Sequence, residues 1–103
     1  MRLGLVTYMW GADWDLATLL KNCAETGFEA AELRTSHKHG VEVTLSPDER
    51  ASVRKQFADS PVKFIGAGTA CEFHGPDPAV VDQNIDLAKK FVVLSHDVGG
   101  TGV

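Results

Sequence analysis

Residues 16–34, LATLLKNCAETGFEAAELR, hold a helix, its stop and a strand with nothing between them. Leu16, Leu19, Leu20, Cys23 and Ala24 recur at i, i+3, i+4, i+7 and i+8, the stripe of a helix packed on one side. Asp13 or Asp15 can cap its start, and Gly27 suits its end. Residues 28–34 (FEAAELR) follow at once as a strand, so the connection has room only for a tight turn from helix back to sheet. Within that strand Ala31 and Leu33 point one way, Glu32 and Arg34 the other. A helix returning directly into an apolar strand is the repeating unit of a parallel α/β sheet.

The same unit recurs on both sides. Residues 3–8 (LGLVTY) form a short apolar run that suits an internal strand buried on both faces. Residues 35–45 carry two His and a Gly with little periodicity, a loop longer than such connections usually are. Ser46, Pro47 and Glu49 make a capping box, and the helix they start carries Val53 and Phe57 inward and ends before Pro61. Residues 62–69 (VKFIGAGT) read as the third strand, with Gly66 and Gly68 thinning one face where another group comes close. Asp77 and Pro78 open a third helix whose inward residues read as Val81, Ile85, Ala88 and Phe91 or Val92, ending near Gly99 and Gly100. Residues 101–103 then begin a fourth strand. The order is βαβαβα with right-handed crossovers, and a parallel sheet follows.

Composition bounds the function. With 44% hydrophobic and 23% charged residues the balance is that of a globular domain, which excludes a disordered tail or fibrous repeat. Residues 1–103 suffice for a single domain. A net charge of −4 with the ten Lys and Arg scattered leaves no basic patch, so nucleic acid is not an expected partner. No apolar run approaches the ~18 residues of a membrane helix and no signal pattern opens the chain, so no membrane partner is expected. Cys23 and Cys71 lack C-x-x-C spacing; neither a disulfide framework nor a structural zinc site follows from them, and a reducing cytoplasm is the expected location.

Each strand runs into a polar or aromatic cluster where the next helix must begin. The clusters are Tyr8 and Trp10; then Glu32, Arg34, His37 and His39; then Cys71, Glu72 and His74. Ligands gather at the carboxyl ends of parallel strands, so these clusters predict a site at one rim of the sheet. Glu32 and Arg34 share a face of an otherwise apolar strand, where charges must pair with each other or serve a ligand. As a ligand group the Glu32 carboxylate accepts hydrogen bonds from a polyol or works as acid or base. His74 is a candidate metal ligand or proton shuttle, with Glu72 two residues before it. His37, His39 and Glu42 lie in the long loop, where H-x-H spacing can chelate a metal or simply be hydrated. Tyr8 and Trp10 can form an apolar wall for a sugar ring, or pack at a loop base. Cys71 reads as a small rim-filling residue. GAGTAC at residues 66–71 departs from a dinucleotide fingerprint, because its third Gly is replaced by Cys71 and no helix opens until Asp77.

The order of elements, with LGLVTYMWG at the start, GFEAAELRTSHKHGVE across the second strand and loop, and GTACEFHGPDP after the third, resembles the sugar phosphate isomerase/epimerase group of xylose isomerase-like TIM barrels. The resemblance spans residues 2–103 and implies the first three to four units of a (β/α)8 barrel. It implies a divalent metal (Mn, Zn, Mg or Co) in complete members, a small sugar or sugar phosphate substrate, and proton transfer next to a carbonyl. By resemblance Glu32 and His74 are the catalytic candidates, His74 also a metal ligand, and Tyr8, Trp10, Arg34, His37, His39 and Glu72 substrate contacts. The metal ligands of such enzymes come mostly from later strands, so this portion is expected to be inactive alone and to keep either a metal half-site at His74 or no metal. Open sheet edges predict self-association or association with the remainder of a barrel. The alternative is a non-catalytic α/β binding or assembly module.

Overall fold

The computed structural model describes residues 1–103. β1 (Gly4–Val6), α1 (Leu16–Thr26), β2 (Ala30–Arg34), α2 (Pro47–Ala58), β3 (Lys63–Gly68) and α3 (Pro78–Asp97) alternate along the chain. The three strands form one parallel sheet in the order β1-β2-β3. A fourth segment joins through a single parallel bridge, Gly66 to Gly102, with Thr101 N–H donating to Ile65 O at 2.8 Å. Right-handed crossovers between strands in sequential order put every helix on one face of the sheet. Leu5, Ala31, Leu33, Phe64 and Ala67 point into that layer and are buried with Leu19, Leu20, Val53, Phe57 and Leu94 in one apolar core. No helix is long and apolar enough to cross a membrane.

The local signals act as their chemistry requires. Asp15 caps α1 by accepting from Thr18 N–H at 2.8 Å, and Gly27 closes it at φ 84°. In α2 the Ser46 side chain accepts from Glu49 N–H while the Glu49 carboxylate accepts from Ser46 N–H, so two otherwise orphaned donors are satisfied. Arg50 ties α2 to the loop before it and to α3: it donates to Leu45 O and Val43 O and pairs with Asp97 Oδ2 of α3 at 2.8 Å. That guanidinium holds the Asp97 carboxyl below its ordinary range, with His96 adding to the effect.

Two expectations need correcting. β1 is an edge strand and is buried on one face only: Leu5 is enclosed, whereas Val6 stands 37% exposed on the helix-free side. A continuous apolar run reads the same for both situations, and only the strand order distinguishes them. In α3 the inward residues are Phe91, Leu94, Ser95 and Val98, while Ile85 and Val92 are exposed. The helix carries two apolar stripes about 100° apart, since Val81, Ile85, Ala88 and Val92 align as well as the buried set does. Ala24 of α1 is exposed for a similar reason, at the margin of its stripe.

A bulge interrupts the pairing of β2 with β3. Ala31 stands opposite Phe64, but Glu32 stands opposite Gly66, leaving Ile65 as the extra residue of β3. Leu94→Ala is therefore expected to cost about 2–5 kcal/mol, whereas Val92→Ala should change stability by less than about 0.5 kcal/mol; urea denaturation of both variants checks the assignment of the α3 face.

Candidate functional site

The helix-free face of the sheet presents Val6, Glu32, Arg34 and Ile65 outward, with Tyr8 just beyond the end of β1. Glu32 and Arg34 alternate with the buried Ala31 and Leu33, as period-two geometry demands. They do not pair with each other, and neither takes part in any of the ion pairs of the chain. The Arg34 guanidinium instead lies over the Tyr8 ring, 4.8 Å from its centroid, a contact worth about 0.5–1 kcal/mol at an exposed site. The Glu32 carboxylate and the stem of Arg34 both pass beside Gly68 of the neighbouring strand. A Cβ there would stand 3.1 Å from Glu32 Oε1 and 3.4 Å from Arg34 Cδ, so the glycine leaves the space the two side chains occupy. Gly66 serves another approach, since a Cβ on it would collide with Gly102 O. Glu32, Gly66, Gly68, Thr69 and Gly102 line one hollow on this face.

The loop after β2 is fastened to the strand end by three side chains. The Glu42 carboxylate accepts from Thr35 Oγ at 2.8 Å and from Ser36 N–H, which holds Ser36 in the left-handed region at φ 67°. His39 is buried, accepts from Val41 N–H through Nδ1 at 2.9 Å, and donates through Nε2 to Arg34 O at 2.7 Å. Both ring nitrogens are thus taken by backbone, and burial lowers the His39 pKa because the charged form is poorly solvated there. His37 lies beside it, 6.1 Å between ring centroids, with Nδ1 3.1 Å from Thr7 Oγ.

Other candidates lie elsewhere. Trp10 lines a small apolar pocket with Leu5, Trp14, Cys23, Thr26 and Phe28 on the helix side of the sheet, apart from the Glu32 hollow. Burial raises the Cys23 thiol pKa, which suits a packing residue. Glu72 and His74 are exposed beyond β3, and neither side chain bonds to another residue. No three His, Cys, Asp or Glu side chains gather around a common point. A divalent-metal site built from three such side chains is therefore not assembled in this chain. Thr7 is the member that sequence reasoning passed over: it read as part of an apolar strand, yet its hydroxyl accepts from Arg34 N–H at 2.8 Å inside the rim.

Because the folded His39 resists protonation, the unfolded chain binds the extra proton first as pH falls below the ordinary His value of ~6.5. Stability is held above that pH and declines below it, until the folded pKa is passed; denaturation midpoints from pH 7.5 to pH 5 should show this slope, reduced in His39→Gln. Calorimetry with Mn²⁺ should give no saturable micromolar isotherm that His74→Ala removes. No protein-family model matches the chain and no curated protein matches it, so the chemistry of the rim rests on its own side chains.

Proposed function

We propose that Glu32, Arg34 and Tyr8 bind a small sugar or sugar phosphate, and that the chain is an arc of a (β/α)8 barrel working as an isomerase or epimerase. What supports this reading is one observation: on the open face of a parallel sheet a carboxylate without an ion-pair partner stands over a glycine floor, and the side chain beside it carries an equally unpaired guanidinium over the Tyr8 ring. Half-buried charges without ion-pair partners are kept at a cost, and a polyol or phosphate oxygen supplies what they lack. Tyr8 offers a ring face beside them.

The chemistry follows from the two groups. The Glu32 carboxylate takes a proton from a carbon next to a carbonyl, and the electron pair of that C–H bond enters an enediolate whose oxygen carries the negative charge. Arg34 stabilises that oxygen electrostatically. Protonated Glu32 returns the proton to carbon, so the C–H hydrogen exchanges with solvent.

A second reading, a module that holds the same ligand without turnover, is favoured by one feature: Glu32 is the one titratable side chain lining its hollow, so no second acid stands ready on the other side. Titration with ribulose 5-phosphate in D₂O separates the two. Saturable NMR shifts at Glu32, Arg34 and Gly68 are expected, with Arg34→Ala weakening binding by about tenfold or more. Exchange of the protons beside the carbonyl should be lost in Glu32→Gln by a factor of about 10²–10⁴ while binding persists. Exchange would establish that this chain is catalytic by itself, binding without exchange is the outcome of a non-catalytic module or of a portion inactive alone, and absence of saturable shifts would overturn both readings.

A further inference from the structure

We propose that His37 is a fixed hydrogen-bond donor of the rim, presenting Nε2–H to a ligand oxygen, and that Thr7 is the positioning residue that sets this tautomer. The inference rests on the rim reading above for its ligand but on separate geometry for its donor. Thr7 is completely enclosed, and its hydroxyl has two polar neighbours: Arg34 N at 2.8 Å and His37 Nδ1 at 3.1 Å. A backbone amide can only donate, so the hydroxyl oxygen accepts from Arg34. The hydroxyl proton then needs an acceptor of its own, because a buried donor left unpaired costs about 1–3 kcal/mol. His37 Nδ1 is the acceptor in reach. An imidazole that accepts at Nδ1 carries its proton at Nε2 when neutral.

The surroundings hold His37 in that place. Ser36, immediately before it, keeps a left-handed backbone under the Glu42 carboxylate, and Lys38 N–H donates to Ala12 O at 3.0 Å immediately after it. The His39 ring stands edge-on against the His37 ring and is itself locked by Arg34 O and Val41 N–H. Nε2 of His37 bonds to no protein group, and the ring is partly exposed. One chain of hydrogen bonds therefore runs from the backbone of Arg34 through Thr7 to His37. The residue that aims a guanidinium over Tyr8 is also the start of the relay that orients the imidazole.

Long-range ¹H–¹⁵N NMR of the full chain at pH 7.5 reads the tautomer directly. Wild type is expected to show His37 protonated at Nε2, Thr7→Ser to retain that state, and Thr7→Val to give a mixture of tautomers. An Nδ1–H form in the wild type, or a Thr7→Val spectrum identical to wild type in a folded variant, would overturn the proposal. Should Thr7→Val fail to fold, Thr7→Ser and the wild type still decide the tautomer. Ribulose 5-phosphate should then move the His37 Nε2 resonance together with those of Arg34 and Glu32, and His37→Phe should weaken its binding about tenfold. Shifts at Arg34 and Glu32 that leave His37 unmoved would sink the donor role while the rim reading stands. A ligand that moves none of the three would remove the rim reading and the donor role, whereas the tautomer result would still report on Thr7.

Discussion

The one-sided burial of the sheet is the constraint on which everything else depends. Three parallel strands in sequential order, joined by crossovers of one hand, place all helices on the same face. That face receives the apolar half of each strand, and Leu5, Ala31, Leu33 and Phe64 disappear into it. The other half of each strand has no helix to meet. Charges can stand there at modest cost, because solvent reaches them from the open side. In a sheet wound with helices on both faces, the same Glu32 and Arg34 would be enclosed without partners, a cost of several kcal/mol for each ion.

Around this constraint the second strand does double duty. Its side chains divide between core and rim, while its terminal backbone anchors the loop beyond it: Arg34 N–H donates to Thr7 and Arg34 O accepts from His39. The loop of residues 35–45 is thus an extension of the strand's own hydrogen bonding, and rim geometry and loop geometry cannot vary independently. Arg50 fastens the far end of that loop by binding Val43 O and Leu45 O while reaching Asp97. The loop is held at both ends by groups that lie in the body of the fold.

Much of this was legible in the residues. The S-x-x-E box of α2, the Asp15 and Gly27 ends of α1, and the opposed faces of Ala31–Leu33 and Glu32–Arg34 follow from local rules, and the structure has them. The parallel sheet followed from the repeat of elements. What local rules could not separate were cases where two arrangements share one pattern. An apolar strand at an edge spells the same run as one in the middle, and a helix with two apolar stripes does not say which one the sheet takes. The site divided along the same line. Glu32 and Arg34 announced themselves as charges in an apolar strand, but Thr7 and His37 are thirty positions apart and meet only through the pairing of β1 with β2. Trp10, expected at the rim beside Tyr8, turned to the helix side, because the chain reverses just after β1 with Trp10 N–H donating back to Val6 O.

The extra residue in β3 sets which neighbour the charged pair faces. If Ile65 were paired rather than bulged, continuing the Ala31–Phe64 register would bring Ile65 opposite Glu32 and Gly66 opposite Leu33. A branched side chain would then fill the ground where the carboxylate lies, and a glycine would leave a gap in the core against the second strand. The inserted Ile65 shifts the count by one, so that Ala67 fills the core position and Gly66 and Gly68 fall beside the charges. The bulge at a single residue thereby acts as a steric selector: it decides whether the open face offers a floor or a plug.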